Sequence, residues 1–457
     1  MSKSDIFTKS NLVYIPLSVT TAHTLHFIFN SQLSTWQEFP PNLPTSVYSS
    51  IFFTILLSFI SLSFEPIQTR SRFYTLLTLA LIYVTIPISF RGKYPPLPHN
   101  VFVTYGAIFG LKMFLFLKSN RVYLNQEDSK QKKEFKSFLW SLFNLRFNSY
   151  IIPPKKENSN EKENTLIITS PTTSQINQKI INRSIITFAK CLILELVMYN
   201  AITCTLVIPE NSYQLRLIEF FMKGIPAITM PLMLQYLNFL LYAHLSLSVY
   251  LYDIYTIISA IFYRLFLHSS SEEINYKPFL IKSGILTSSE YFSLKEWMIT
   301  YLFNTKHLFS EPWMASSPRD FWSVRWQLLA NEFFKELGFL PVKNVFAPIA
   351  PKKIANMMGV LGAFGVSSLL HEYLIIGMLD IWKGEHAFFF MIHGVIFIMW
   401  EAVFGRENKN ENSKIKRFLK WFLLLIINLS VLPAFIEPFR RKPDLLPLPS
   451  FWQNFIK

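Results

Sequence analysis

Residues 354–379 read IANMMGVLGAFGVSSLLHEYLIIGML, an apolar run broken only by His371, Glu372 and a few small polar groups. As a helix it rises about 1.5 Å per residue, more than enough to cross a hydrocarbon core about 30 Å thick. Ionisable groups at that depth are expensive and mark function by default. The stretch therefore sets two questions, what surrounds the helix and what His371 does in its middle.

Working outward, the whole chain has the composition of a membrane protein. Of its 457 residues 51% are hydrophobic, 45 are phenylalanine and only 16% are charged, against about 25% charged in soluble domains. The reading is an all-α polytopic membrane protein, with about nine transmembrane helices and interfacial amphipathic helices around an internal tunnel. Candidate spans cover 11–29, 47–64, 73–90, 101–117, 184–208, 225–267, 354–379, 386–404 and 418–435. The N-terminal residues lack the compact apolar core and small-residue cleavage site of a signal peptide, so the first span is expected to stay as an anchor.

The formal charge of +15 does not point to nucleic acid. The basic residues are spread over loops between apolar spans and no nucleic-acid-binding motif accompanies them. Residues 118–183 carry twelve Lys and Arg against six Asp and Glu, and the loop 405–417 is also basic, which places both in the cytosol. That placement needs an even number of spans between them, so 225–267 counts as one crossing. The basic FRRKP at 439–443 then falls on the opposite side, against the same rule. Three regions result: N-terminal helices 1–117, a basic polar loop 118–183 and a core 184–457. Cys191 and Cys204 lie in one apolar span and are expected to be reduced packing residues.

Upstream of the opening run, SSPRDFWSVRWQLLANEFFKELGFLP at 316–341 predicts an amphipathic helix over 317–337. Ser317 suits the N-cap, Pro318 the first helical position and Asp320 a capping box, with Gly338 and Pro341 as the stop. Such a helix can serve as an aromatic interfacial anchor, or can place Arg325, Trp326 and Gln327 inside a substrate tunnel. In 354–379, Gly359, Gly362 and Gly365 recur every three residues and allow close helix contact. Ser367 and Ser368 precede His371 by four and three residues, so a hydroxyl shares its helical face. Histidine is the usual side chain for taking a proton from an alcohol; a structural hydrogen bond to a neighbouring span is the plainer alternative.

SSPRDFWSVRWQ, followed 44 residues after Gln327 by the histidine of VSSLLHEYLI, resembles the membrane-bound O-acyltransferase superfamily, and within it the wax synthase-like branch of plants and fungi. The likeness covers about 310–404. It implies an acyl-CoA-dependent enzyme, probed from the cytosol by acyl-CoA and from the bilayer by a lipid alcohol, with residence in the endoplasmic reticulum. His371 matches the family histidine. Gln327 stands where family members carry Asn or His, so it can hydrogen-bond a carbonyl or hydroxyl but cannot do imidazole acid-base work.

His371 and Gln327 are accordingly the catalytic candidates. The candidate substrate contacts are Asp320, Trp322, Arg325, Trp326, Ser367, Ser368 and Glu372. Glu372 points about 100° away from His371 on an ideal helix and is expected to pair with another span, with Arg319 or Arg325 as partners; those arginines could instead hold the phosphates of acyl-CoA. The co-substrate is acyl-CoA, with no permanently bound cofactor and no metal, since His386 and His393 have no Cys or acidic partner at helical spacing. Membrane lipid surrounds the protein, and self-association is left open. Glu195 and Asp253 read as hydrogen-bonded packing groups rather than an ion path, and His244 as a residue that could face the tunnel. The competing readings are a sterol or diacylglycerol acyltransferase and, from another class, a lipid or organic-ion transporter.

Overall fold

The computed structural model describes residues 20–21, 43–63, 69–121, 170–203, 207–268, 278–284, 286–305, 307–326, 328–405 and 413–442. The protein is built from helices, as an apolar bilayer demands of a chain whose backbone must satisfy its own hydrogen bonds. We number the long ones α1 (Thr45–Ser63), α2 (Arg70–Ser89), α3 (Pro96–Arg121), α4 (Thr173–Thr203), α5 (Tyr213–Lys223), α6 (Met230–Ser248), α7 (Ile254–Phe262), α8 (Ser288–Phe303), α9 (Leu340–Phe346), α10 (Lys352–Leu379), α11 (Glu385–Phe404) and α12 (Lys414–Arg441).

Six of these, α1, α2, α3, α10, α11 and α12, are long and apolar enough to cross a membrane, and each coincides with an expected span. The expected span 11–29 lies almost wholly outside the described residues. The span 184–208 falls largely in α4, which carries Lys179, Arg183, Lys190 and Glu195. The tract 225–267 forms one unbroken helical run from Met230 to Leu267, in which α6 and α7 are joined through a π-helical turn, Val249–Asp253, and followed by a second, Tyr263–Leu267. No loop divides it.

The first three helices share an aromatic core around Tyr48, Phe52, Phe59, Tyr83 and Phe102. The hub of the rest is α10, which packs against α11, α3, α2, α12 and the helical run before it. Its glycines explain the closest of these contacts. A Cβ on Gly362 would sit 2.8 Å from the carbonyl oxygen of Gly338, and one on Gly338 would sit 2.5 Å from the carbonyl oxygen of Gly362. Gly359 meets Phe339 in the same seam, whereas Gly365 faces open space. Two of the three glycines singled out in the sequence thus make the close crossing.

Two charge clusters tie the bundle. Asp253, fully buried, bonds Arg183 at 3.0 Å and Lys190 at 2.6 Å, which fixes α4 against the run that follows α6. Between the N-terminus of α11 and the C-terminus of α12, Arg441 bonds both Glu385 and Glu437, and Arg216 and Tyr236 also reach Glu437. Arg441, one of the two arginines in the basic FRRKP, is thus paired with buried carboxylates. A charge neutralised inside the protein is not free to attract anionic lipid, and this accounts for part of its conflict with the positive-inside tendency.

Candidate active site

The segment between α8 and α10 does not form the single amphipathic helix expected over 317–337. Its start is as read: Ser317 is extended, and its hydroxyl accepts from the backbone N–H of Asp320 at 3.1 Å. One α-turn, Pro318–Asp320, then widens into a π-turn, Phe321–Arg325, and Trp326 leaves the helix with φ −85° and ψ 133°. The widening follows from pairing at a spacing of five. The Trp326 N–H donates to the Phe321 carbonyl at 2.7 Å, and the Arg325 guanidinium donates to Asp320 at 2.7 Å. The extended stretch then bonds 308–310, Ser310 N–H to Arg325 and Leu328 N–H to Leu308. Nor do Gly338 and Pro341 stop a helix. The chain stays helical from Asn331 through α9, because Gly338 is there to let α10 approach, and the Glu336 carbonyl, five residues before Pro341, is bonded by Lys118 rather than by the N–H that proline lacks.

The two cavities that define the site meet at this irregular segment. The larger, about 1240 Å³, opens beside the N-terminus of α10 and is lined by Arg319, Lys335, Lys343, Lys352 and Lys353, against Glu332 and Glu401 as its acidic members. The smaller, about 500 Å³, is apolar, with walls from α3, α6, α11 and α12. Trp322 and Trp326 line both. Ser367 lines the larger cavity and His371, one turn further along α10, lines the smaller.

Around His371 the walls are aromatic. Its ring stacks on Phe390 with centroids 4.4 Å apart and meets Phe435 and His386 edge-on at 5.5 and 5.6 Å. Among the described residues, none hydrogen-bonds its ring nitrogens, although the ring faces the cavity. His386, by contrast, is occupied, with Nε2 bonded to the Phe435 carbonyl at 2.8 Å. The arrangement leaves the His371 imidazole able to exchange a proton with a group in the apolar cavity.

The structure sorts the other candidates. Trp322, Trp326, Ser367 and His371 come together at the junction of the two cavities. Gln327 lies outside the described residues. Asp320, Arg325, Ser368 and Glu372 line neither cavity and hold its walls. Arg325 is bound to Asp320 and to the carbonyls of Ser310 and Glu311, and the Ser368 hydroxyl donates to the Phe364 carbonyl. Glu372 does reach another span, but not through an arginine. It accepts from the N–H of Ala387 at 2.8 Å, one of the donors that the first turn of α11 would otherwise leave without a partner. Arg319 is paired instead with Glu401.

Several residues of the cavities were not singled out as site residues. Lys335, Lys343, Lys352 and Lys353 line the larger cavity, and Asn428 and Lys112, polar residues within apolar spans, line the smaller. Lys112 is buried, with Nζ 5.7 Å from the Phe109 ring centre. His244 lines the apolar cavity, between Phe309 and Trp326. Asp253, expected as a hydrogen-bonded packing group, is a packing group held by ion pairs to Arg183 and Lys190. In the larger cavity, burial and the neighbouring Glu336 push the Glu332 carboxyl up to about 7.

Known proteins converge on the same part of the chain. Residues 305–392 match the family described as membrane bound O-acyl transferase. A probable long-chain-alcohol O-fatty-acyltransferase 1 of Arabidopsis thaliana is 36% identical over 94 residues, 20% of this chain and 27% of the relative. A long-chain-alcohol O-fatty-acyltransferase of Simmondsia chinensis is 32% identical over 105 residues, 21% and 29% of the two chains. An acyl-CoA–sterol O-acyltransferase 1 of Arabidopsis thaliana is 29% identical over 89 residues, 19% and 25% of the two. The chain thus aligns with little more than a quarter of the length of these relatives. Residues 305–392, the segment that joins the two cavities and carries His371, are thus similar to the membrane-bound O-acyltransferase family and to long-chain-alcohol O-fatty-acyltransferases.

Proposed function

We propose that the protein transfers an acyl group from acyl-CoA to a lipid alcohol inside the membrane, as a wax ester synthase-like enzyme. The observation that carries this reading is the junction of the cavities. A cationic chamber suited to the phosphates of CoA meets an apolar chamber suited to lipid, and the unpartnered imidazole of His371 stands in the second, one helical turn from the first.

In the proposed reaction the acceptor hydroxyl oxygen attacks the thioester carbonyl carbon as His371 takes the hydroxyl proton. The tetrahedral intermediate collapses by breaking the carbon–sulfur bond, and the departing sulfur receives that proton, giving ester and free thiol. Phe390, Phe435 and Trp322 keep water from the reacting atoms, and low polarity there strengthens each remaining polar contact. Gln327 is proposed to orient the carbonyl or the hydroxyl. The endoplasmic reticulum is the proposed residence.

The test is a matrix of acyl-CoA chain lengths against alcohols on membranes containing the protein, reading thiol release and ester products together. Long-chain alcohols are expected to give both. The similarity to a sterol acyltransferase makes sterols the second acceptor class to try. Substrate uptake without thiol release from any pair would replace the enzyme with a transporter.

A further inference from the structure

Beside His371, the apolar cavity contains a second polar group whose hydrogen-bond pattern can be worked out. His393 of α11 and Asn428 of α12 both line it. His393 is buried and lies edge-on to Trp322, ring centres 5.1 Å apart. Its Nδ1 is 2.7 Å from the Phe389 carbonyl oxygen. A carbonyl cannot donate, so the hydrogen is on Nδ1, and in the neutral ring Nε2 presents a lone pair. The Asn428 Oδ1 position stands 3.3 Å from that Nε2; two acceptors cannot bond, so only the NH₂ of the amide, turned over, can satisfy the ring nitrogen. Oxygen and nitrogen of an amide are assigned from such partners, so the Asn428 oxygen is the atom turned away from His393. Among the described residues Asn428 has no other partner, and an amide oxygen facing an apolar cavity lacks a donor.

The position is as informative as the polarity. His371 stacks on Phe390, and His393 lies three residues further along α11, about 4.5 Å by helical rise. A ligand hydroxyl engaged by His371 therefore shares its cavity with a second acceptor, and the other polar members of the wall are Thr104, Lys112 and His244.

We propose that the His393–Asn428 pair binds a second hydroxyl on the acceptor, so that the favoured substrate is a lipid diol or polyol whose hydroxyls lie on adjacent or next-but-one carbons, rather than a simple monohydric alcohol. Asn428 is the specificity residue, and His393 is a positioning residue that fixes which amide atom meets the ligand. This rests on the acyltransfer reading above.

The experiment compares 1-hexadecanol with 1,2-hexadecanediol and 1,3-hexadecanediol, each with palmitoyl-CoA, on the full-length wild-type protein in membranes, reading kcat/KM for ester formation. A site built to hydrogen-bond a hydroxyl discriminates strongly against the analogue that lacks it, so at least one diol should be favoured over the mono-alcohol by about tenfold or more. Asn428→Leu should bring that ratio close to one. His393→Gln, which leaves Asn428 in place but removes its ring partner, should lower it as well, and keeps the question open to test if the leucine variant does not fold. A wild-type ratio near one, or a ratio that neither variant changes, overturns the inference while leaving acyltransfer standing. No ester and no thiol from any of the three alcohols would instead overturn acyltransfer, and this inference with it.

Discussion

The two cavities differ in what makes them. The larger combines five cationic side chains with apolar ones from a short stretch of chain, 319–367, with a closing wall from α11. The smaller is walled by rings and branched side chains drawn from α3, α6, α10, α11 and α12, hundreds of residues apart. One is suited to hold a charged ligand, the other to hold lipid, and among the described residues Trp322 and Trp326 belong to both. The difference teaches that the chemistry is placed at a boundary of polarity. A group at that boundary can meet a thioester from one side and an alcohol from the other.

The largest break in that picture comes from removing the group itself. His371→Ala should lower acyl transfer by about a hundredfold to ten-thousandfold, the usual effect of losing a general base. Measured on protein of normal abundance and unchanged size-exclusion profile, full activity in this variant would remove the mechanism. Next in size is the partition. Trp322 packs edge-on against Phe364 and His393, and Trp322→Ala should connect the chambers and admit water. The ratio of ester to free fatty acid should fall by about tenfold, with thiol release falling less; an unchanged ratio would show that the two indoles are not the barrier.

How much of this was legible in the sequence follows the same division. The six spans were readable because apolar length alone specifies them, and Trp322, Trp326, Ser367 and His371 because motif residues sit close together along the chain. The start of the motif helix was also readable, since Ser317 and Pro318 act locally. Its break at Trp326 was not, because an amphipathic pattern does not encode a π-turn closed by a bond from Arg325 to Asp320. Gly338 was misread for a related reason. A glycine near a proline signals a stop in one dimension, whereas here its use is to admit the backbone of Gly362, a partner 24 positions away. His393 and Asn428, 35 residues apart, come together only when α11 and α12 pack.

The cationic chamber allows a smaller test. Lys352 and Lys353 line it beside the first turn of α10. Reversing both, Lys352→Glu with Lys353→Glu, should raise KM for acyl-CoA by about tenfold with little change in kcat, since the two charges act on binding rather than on the reacting atoms. Higher salt should narrow the gap between wild type and variant, because exposed charges are screened. An equal KM at low salt would remove this chamber as the CoA site.

The smallest expected effect is also the most discriminating, because it depends on a carboxyl whose charge should change within the working pH range. Burial, with help from Glu336 and against Lys335, raises Glu332 from an ordinary value of 4.5 to about 7, and among the described residues its Oε2 has no hydrogen-bond partner. The sign follows from that direction. At pH 6 the group is mostly protonated and leaves the field of the lysines intact; by pH 8 it is a carboxylate facing the same cavity as the phosphates. KM for acyl-CoA should therefore rise a few-fold across this window, and Glu332→Gln should flatten the rise while keeping the low-pH value. Stability has the same direction, because a raised carboxyl favours the folded state below pH 4.5 and loses that contribution as pH climbs through about 7. The two can be separated by measuring KM and thermal unfolding on the same samples. If Glu332→Gln flattened the unfolding curve with pH but left the KM profile of the wild type, Glu332 would be a buried wall residue, and the chamber's field would be set by its lysines alone.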